Sequence, residues 1–293
     1  MTRIDVQGIL GSKNVLKIKN KLFMRNNPEY KELLLRNREF KGKHNGERCF
    51  ILGNGPSLSK VDLTLLKDEV TFSVNQLPRN PQFSELHTTY HMWMDNRFFD
   101  ISEDHPETME LLDVMKQVNT LDNHPIVFYN IDAYEMIRKY RLDNELNIRY
   151  IAHTYIKDIE GLTSSFLDVS TVLPSFSTVV HYLICLAIYM GFKDIILLGC
   201  DCTSIISITE SRLGNAEKSP YGYKISENEK KRLEAIQSLT SIRDEMMWQV
   251  ELFDCYSYLD QYCRKQGARL RNATYPTLLE CIEKVSMDDV LKA

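Results

Sequence analysis

The sequence predicts an α/β protein with a mostly parallel sheet and helices on both of its faces, and three observations lead to this prediction. Short apolar segments alternate with segments of helical periodicity, which favours parallel strands joined by helices. The segment 195–198 is apolar throughout, as expected of a strand buried on both faces. The apolar segment 49–52 runs into a glycine-containing turn, the type of junction at which such folds bind anionic ligands.

The predicted elements follow from the apolar patterns in chain order. Strands are predicted at 49–52, 70–74, 88–92, 126–129, 195–198 and 268–271. Helices are predicted after Ser57, at 106–118, 133–140 and 178–190, and over about 226–265. The helix at 178–190 is almost entirely apolar and is therefore predicted to be buried, with Gly191 as its C-terminal cap.

The chain divides into a helical N-terminal arm, residues 1–46, and a domain that spans 47–293. The arm mixes Leu and Ile with Lys, Arg and Asn, which predicts amphipathic helices. Packing of these helices on the core is the simpler interpretation, and contact of their basic face with anionic lipid or a partner is the alternative. Within the domain, 203–230 is rich in Ser, Gly, Asn, Glu and Lys without a clear period, which is typical of a mobile lid.

Composition limits the classes of function. The 293 residues carry a formal net charge of −4, so the global charge gives no reason to expect nucleic-acid binding. The seven cysteines are scattered without the spacing of zinc ligands, which indicates a reducing compartment. The N-terminal segment has no apolar stretch of signal-peptide length, and Lys193 and Asp194 interrupt the most apolar region, 179–199. We therefore expect a cytoplasmic protein.

The turn after the first predicted strand is the most informative motif. Gly53 and Gly55 allow a ligand to approach the main chain, and Asn54 and Ser57 place polar side chains beside the start of the predicted helix. These features predict binding of a nucleotide phosphate, and a turn without a ligand is the alternative. Leu58 stands at the third glycine position of the Gly-x-Gly-x-x-Gly fingerprint, so the motif differs from that of a dinucleotide-binding protein.

Polar residues also follow other predicted strands. Asn75 could hydrogen-bond a base, a ribose or a sugar, and closing a turn explains it equally well. Asp95 could bind a hydroxyl group or a metal, and the nearby His91 is the histidine that we single out as a candidate catalytic group. Asp201 follows the most buried strand, where a carboxylate needs a function or a partner, and we favour a function.

Further candidates lie at the start of the buried helix and in the lid. Ser177 or Thr178 could cap the helix and leave its amide groups for a carboxylate or phosphate, and capping alone also explains both residues. Tyr221 and Tyr223 could donate hydrogen bonds to a departing phosphate, and packing is the alternative. No Asp-x-Asp motif follows a strand, so we expect no metal in the reaction.

The ordered set of motifs resembles a known family, the domain shared by motility accessory factor proteins and 6-hydroxymethylpterin diphosphokinase-like proteins, which is related to bacterial sialyltransferases of lipooligosaccharide synthesis. The matching segments are 48–58 with Asp62, 72–75, 90–95, 178–179, 189–195, 198–201 and 271–274. The resemblance covers about residues 46–285 and implies a Rossmann-like sheet.

In the sialyltransferase branch, the resemblance implies that the sheet holds CMP-sialic acid for an inverting, metal-independent sugar transfer. By position, the residues implied to surround the donor are Gly53, Asn54, Gly55, Ser57, Asn75, Thr178, Gly199, Asp201, Tyr221 and Tyr223. This chain departs from the branch twice: no histidine follows His181, where the branch has a lid histidine as general base, and Phe176 replaces an arginine. We therefore expect the base among Asp95, Asp201 and His91.

We predict a glycosyltransferase-like enzyme of cell-surface glycan synthesis. It would transfer a sugar, a nonulosonic acid such as sialic acid from a CMP donor, to a hydroxyl of a glycan or glycolipid acceptor, with no further cofactor. The first alternative is a diphosphokinase that uses ATP and magnesium, with Asp95 and Asp201 as the magnesium ligands. The second is a non-catalytic nucleotide-binding scaffold. A homo-oligomer and a peripheral membrane contact through the arm are compatible with each of these functions.

Overall fold

A computed structural model of the protein describes residues 10–99, 106–215, 219 and 221–292. Within these residues, the strands form one sheet in the spatial order β6-β5-β4-β3-β2-β1-β7-β8-β9, and neighbouring strands are parallel. The strands are β1 (Arg48–Leu52), β2 (Thr71–Val74), β3 (Tyr90–Trp93), β4 (Ile126–Asn130), β5 (Asn147–Thr154), β6 (Val172–Pro174), β7 (Asp194–Leu198), β8 (Arg269–Asn272) and β9 (Glu283–Lys284).

Helices cover both faces of the sheet. They are α1 (Ser12–Asn26), α2 (Pro28–Leu35), α3 (Phe83–Leu86), α4 (Pro106–Gln117), α5 (Tyr134–Lys139), α6 (Val179–Met190), α7 (Ser204–Arg212), α8 (Glu227–Leu239), α9 (Ile242–Lys265) and α10 (Met287–Lys292). Successive strand residues point to opposite faces, and in β1 Ile51 belongs to the hydrophobic cluster that contains α6, whereas Phe50 belongs to the cluster that contains α4. The predicted α/β fold class is confirmed.

The chain reverses its direction of travel across the sheet between β6 and β7. It moves stepwise from β1 outward to β6, and α6 then carries it back to β7 on the other side of β1. All residues of α6 are buried, and Gly191 ends the helix in the left-handed conformation with φ 95°, as the sequence predicts. Open parallel sheets bind ligands at the carboxyl ends of their strands near such a reversal. The fold therefore predicts a ligand site at this edge of the sheet.

Three strands, β5, β6 and β9, were not predicted. In β5 exposed and partly buried residues flank a short buried stretch, and the strand carries Asn147, Arg149 and His153, so its sequence shows no simple apolar run. β6 and β9 contain three and two residues, which is too short for a pattern.

Two helix predictions are corrected. The turn after β1 leads into a five-residue 3₁₀ helix (Pro56–Lys60) rather than an α-helix. The helical stretch predicted for 226–265 is two helices, α8 and α9, and the side chain of Ser241 caps the second by accepting a hydrogen bond from the Asp244 amide.

The segment predicted as a lid without period, 203–230, contains the helix α7. None of the residues of α7 is buried, so the segment gives no amphipathic signal. Residues 216–218 and 220 of this segment lie outside the described residues, as do residues 1–9 of the predicted arm. The described part of the arm folds as α1 and α2, which bury Val15 and Leu34 against the domain. The division at residue 46 stays a prediction.

No helix in the described ranges combines the length and the apolar character needed to cross a bilayer.

Candidate functional site

A cavity of ≈ 1300 Å³ lies at the carboxyl edge of the sheet. Asn54 after β1, Asn75 after β2, Arg97 after β3, His153 in β5 and Thr178 after β6 line its floor. The opposite side is lined by the helices α7 and α8, by the first turns of α9, and by Ser219, Tyr221, Tyr223, Lys224 and Ile225. The volume exceeds that of ordinary small-molecule pockets, which are about 300–1,000 Å³, so a ligand larger than a single nucleotide fits.

The cavity separates the predicted site residues into two groups. The residues that line it are Asn54, Asn75, Asp95, Ser177, Thr178, Tyr221 and Tyr223. The residues that do not line it are Gly53, Gly55, Ser57, Gly199, Asp201 and His91. The structure thus divides what the sequence presented as one site.

The turns after β1 and β7 bind each other through hydrogen bonds. The amide of Gly53 donates to the carbonyl of Leu198 at 2.7 Å, and the amide of Gly55 donates to the carbonyl of Gly199 at 2.8 Å. Ser57 donates from its amide to Asp201 Oδ1 at 2.8 Å and from its hydroxyl to Asp201 Oδ2 at 2.7 Å. The amide groups that were predicted to hold a phosphate are therefore engaged within the protein.

The glycines of this junction are explained by the close approach of the two turns. A Cβ atom on Gly55 would lie 1.9 Å from Asp201 Oδ2, and one on Gly53 would lie 2.5 Å from the Gly199 carbonyl oxygen. No side chain fits at these distances, so the positions need glycine even when no ligand is bound. The neighbouring turn occupies the space beside both glycines, which argues against the prediction that they admit a ligand to the main chain.

Asp201 is a structural carboxylate. Only 3% of the residue is exposed, and both of its oxygens accept from Ser57. Burial raises the pKa of Asp201, and the hydrogen bonds from Ser57 oppose that rise. The carboxylate joins the two turns and does not line the cavity, which argues against the predicted catalytic role of Asp201.

His91 is a core histidine. It is fully buried beside Phe83 and Trp93, and its Nδ1 lies 2.6 Å from the Ser73 hydroxyl. Burial lowers the pKa of His91 to about 3, so the ring is neutral at physiological pH. His91 does not line the cavity, which argues against its predicted catalytic role.

Asn54 and Asn75 line the cavity floor, and each has a buried side-chain oxygen that lacks a partner. Asn75 adopts the left-handed backbone conformation with φ 43°, and Asn54 donates from Nδ2 to the Val74 carbonyl at 3.3 Å. Among the described residues, the buried Oδ1 atoms of Asn54 and Asn75 have no hydrogen-bond partner. Such oxygens need O–H or N–H donors, which a ribose or a nucleobase amino group supplies and a phosphate does not.

Asp95 lies in the cavity wall and pairs with Arg97. Arg97 Nε lies 2.9 Å from each carboxylate oxygen of Asp95, and the Arg97 amide donates to Asp95 Oδ1 at 3.0 Å. The hydrogen bond to Asp95 raises the pKa of Arg97. Both carboxylate oxygens of Asp95 are therefore engaged by Arg97.

The start of α6 opens into the cavity. Thr178 is the N-cap residue with extended backbone, but its side chain makes no capping hydrogen bond, so the capping prediction is wrong for Thr178. Ser177 also does not cap α6, since its hydroxyl lies 3.5 Å from Cys255 Sγ. Thr178 and Val179 therefore line the cavity at a helix start without a side-chain cap, whereas the His181 amide already donates to the Thr178 carbonyl at 3.1 Å. An uncapped helix start favours an anionic group.

The two predicted lid tyrosines stack on each other. The rings of Tyr221 and Tyr223 lie 5.1 Å apart at an interplanar angle of 4°. The Tyr223 hydroxyl donates to Glu229 Oε1 at 3.0 Å, and burial together with Glu229 raises the pKa of Tyr223 well above its ordinary value. Tyr223 is thereby committed to a protein carboxylate, which leaves Tyr221 as the tyrosine placed to meet a ligand.

A buried ionic network fastens this side of the cavity to the domain. Arg232 Nε lies 2.9 Å from Glu107, and Arg79 lies 2.6 Å from Glu110. Glu229 lies 3.7 Å from Arg232 and 3.9 Å from Arg79. Sequence reasoning missed the network, although Glu229 and Arg232 stand three residues apart in one helix, a spacing that allows pairing.

His153 is a cavity residue that sequence reasoning missed. Its Nδ1 lies 2.8 Å from the Ser175 hydroxyl, and its Nε2 lies 3.3 Å from Asn130 Nδ2. Burial lowers the pKa of His153, which keeps the ring neutral near pH 7. The available signal was its position after the apolar residues Ile151 and Ala152, where a strand could end.

No cluster of three or more His, Cys, Asp or Glu side chains suited to a metal ion occurs in the described part of the chain.

The fold and the cavity define an α/β protein with a Rossmann-like parallel sheet and a ligand cavity at its carboxyl edge. No protein-family model matches the chain, and no curated protein matches it. Among solved structures, the chain is similar to the sialyltransferase CstII from Campylobacter jejuni in complex with a substrate analogue, cytidine-5'-monophosphate. The two share 16% sequence identity over 83% of this chain and 86% of that chain, with a TM-score of 0.45. A likeness of this degree carries no argument about activity.

Proposed function

We propose that the protein is a glycosyltransferase-like enzyme that transfers a sugar from a nucleotide-activated donor to an acceptor hydroxyl. The observation that carries this proposal is the cavity, which is lined by the uncapped start of α6 and by Asn54 and Asn75, whose buried Oδ1 atoms have no hydrogen-bond partner among the described residues. The oxygens suit the hydroxyl and amino groups of a nucleoside, and the helix start suits an anion. At ≈ 1300 Å³ the cavity has room for a nucleotide, a sugar and part of an acceptor.

The donor that fits these groups best is a CMP-linked nonulosonic acid. Cytosine and ribose carry N–H and O–H groups, which can donate hydrogen bonds to side-chain oxygens such as those of Asn54 and Asn75. The sugar carboxylate matches the amides at Thr178 and Val179, and the exposed cation Lys224 lines the same cavity for the single phosphate. The acceptor would be a glycan or glycolipid.

His153 supplies the base that this reaction needs. The acceptor oxygen forms a bond to the anomeric carbon, the bond from that carbon to the phosphate oxygen breaks, and CMP leaves with the bonding electrons. Asn130 Nδ2 donates to His153 Nε2 at 3.3 Å, so the acceptor hydroxyl replaces this contact before its proton passes to Nε2 of the neutral imidazole, while Nδ1 stays hydrogen-bonded to Ser175. Of the three bases that the sequence predicted, Asp95 lines the cavity, but Arg97 holds it in an ion pair. We therefore assign to His153 the role of the base, for which the sequence analysis had named His91 among its candidates.

The diphosphokinase alternative is supported less well by the site. It would use Asp95 and Asp201 together as magnesium ligands. Asp95 is paired with Arg97, Asp201 accepts two hydrogen bonds from Ser57, and only Asp95 lines the cavity. The non-catalytic scaffold would bind a nucleotide in the same cavity as the proposed transferase, and the two differ only in whether a sugar is transferred.

The donor class is tested by thermal shift of the purified protein with CMP, CDP, UDP, GDP and ATP, each with magnesium or with EDTA. We expect CMP to stabilise the protein equally with magnesium and with EDTA, and Asn54→Ala to remove most of that stabilisation. The control is Asn144→Ala, because Asn144 is exposed and does not line the cavity.

Turnover of CMP-sugars then separates the enzyme from the scaffold. Release of CMP that depends on an added acceptor supports the transferase. Magnesium-dependent stabilisation by ATP alone would favour the diphosphokinase, and CMP binding without turnover of any CMP-sugar would favour the scaffold.

A further inference from the structure

Positive charge is concentrated on the helix α1 (Ser12–Asn26). It contains five basic residues and no acidic one, whereas the whole chain has a net charge of −4. The helix is fixed to the domain by its inner face: Val15 is buried, the Ser12 hydroxyl donates to Asp158 at 3.1 Å, and Lys19 Nζ donates to the Tyr155 carbonyl at 2.6 Å. These contacts determine which side chains point outward.

Four basic side chains form one exposed row along α1. Lys13, Lys17, Lys21 and Arg25 recur every four residues and are all exposed. Within the ranges that the structure describes, none of the four lies within ion-pair distance of an acidic side chain. Like charges at this spacing repel each other, so an external anionic surface would relieve the repulsion.

Apolar side chains border the basic row. Ile18 is 48% exposed and Leu22 is 43% exposed, and each follows a lysine of the row. Beside the helix, Tyr155 is 67% exposed and receives the hydrogen bond from Lys19 on its carbonyl. Aliphatic and tyrosine side chains next to lysines suit the boundary between the headgroups and acyl chains of a bilayer.

We propose that the outward face of α1, formed by Lys13, Lys17, Ile18, Lys21, Leu22 and Arg25, docks on an anionic lipid bilayer. Lysines and arginine bind the lipid phosphates and carboxylates, while Ile18 and Leu22 enter the boundary region. Tyr155 comes two residues after the cavity residue His153, so the docking face lies beside the carboxyl edge of the sheet. This inference goes beyond the proposed enzyme activity and does not depend on it.

The test is sedimentation of the full chain with vesicles of phosphatidylcholine alone or of phosphatidylcholine with phosphatidylserine. We expect binding to the anionic vesicles only, and a loss of binding as salt is added. Lys17→Glu/Lys21→Glu should weaken binding by more than about tenfold. The matched control is Lys67→Glu/Lys265→Glu, which changes the net charge equally at two exposed lysines away from α1 and should bind as the wild type does.

A second variant, Ile18→Ser/Leu22→Ser, tests the apolar part without changing charge. We expect weaker binding with a steeper dependence on salt, and circular dichroism should show unchanged helix content. The proposal is overturned if anionic vesicles do not bind the wild type or if both charge variants lose binding equally. Soluble poly-glutamate that binds as tightly as the vesicles would also overturn it in favour of an acidic protein partner.

Discussion

Two polar regions at the carboxyl edge of the sheet differ in whether their polar groups find hydrogen-bond partners within the protein. At the β1–β7 junction, Gly55, Ser57 and Asp201 pack and hydrogen-bond with the opposite turn. At the cavity floor, Asn54 and Asn75 keep unpaired Oδ1 atoms. A polar residue at a strand end is thus a site candidate only when the fold leaves its donors or acceptors unused, because buried polar groups otherwise find partners inside the protein.

The largest effect is expected at His153. We predict that His153→Asn lowers the rate of sugar transfer by about 10²–10⁴-fold, because the acceptor loses its base. Burial lowers the pKa of His153, so the wild-type rate should fall only when the pH drops below the ordinary histidine range, where the ring becomes protonated. The pH dependence of kcat/KM measures this decline, and the variant should lack it.

The exposed His87 provides the control for this experiment. We expect His87→Asn to keep both the rate and the pH profile of the wild type, since His87 does not line the cavity. An unchanged rate in His153→Asn would remove His153 from the mechanism.

At the β1–β7 junction, where the polar groups pair with each other, substitutions are expected to lower the stability of the fold. Gly55→Ala would place a Cβ atom against Asp201, so we predict a loss of about 2–3 kcal/mol in the free energy of unfolding, measured with urea. Ser59→Ala in the same 3₁₀ helix is the control, because Ser59 is exposed, and it should stay within about 0.5 kcal/mol. Wild-type stability in Gly55→Ala would mean that the two turns separate easily.

Asp201→Ala should cost about 1–3 kcal/mol of unfolding free energy, since it removes the acceptor for both Ser57 donors. The folded-state pKa of Asp201 is raised, so the folded protein binds its proton more tightly than the unfolded chain does. This carboxyl therefore makes the protein less stable as the pH rises from its ordinary pKa of 3.8 through the raised value.

Asp201→Asn isolates this titration because it keeps an acceptor for Ser57. We expect the difference in unfolding free energy between wild type and Asp201→Asn to shift in favour of the variant as the pH rises through that window. A difference independent of pH would contradict the burial of the carboxylate.

The smallest effects concern the stacked tyrosines. Tyr223→Phe should lower the free energy of unfolding by about 1 kcal/mol, because the buried Glu229 loses a hydrogen-bond donor. Tyr221→Phe should change stability by less than about 0.5 kcal/mol but should slow turnover, if its hydroxyl meets the leaving phosphate. Equal effects of the two substitutions on both quantities would show that the tyrosines act as one packing unit.

The parts of the fold that the sequence predicted are those with a strong local pattern. β1, β4, β7 and α6 are apolar segments bounded by turn residues, and Gly191 follows α6 as a cap would. β5 was missed because polar and charged residues interrupt it. That omission also hid His153, since a histidine at the end of an unrecognised strand cannot be placed at the sheet edge.

The junction between Ser57 and Asp201 could not be predicted for a different reason. The two residues are 144 positions apart, and only the placement of β7 beside β1 brings them together. The sequence correctly predicted that both are polar residues near strand ends. It did not predict that Ser57 would donate hydrogen bonds to Asp201. Long-range pairing of this kind distinguishes the junction from the cavity floor.

Calorimetric titration of CMP into the wild type, Asn75→Gly and Asp201→Asn tests this distinction most directly. Glycine keeps the left-handed backbone of residue 75 and removes the side chain. We predict that CMP binds the wild type without magnesium, that Asn75→Gly weakens binding by about tenfold, and that Asp201→Asn leaves it unchanged. Loss of binding in Asp201→Asn together with full binding in Asn75→Gly would contradict the placement of the donor in the cavity.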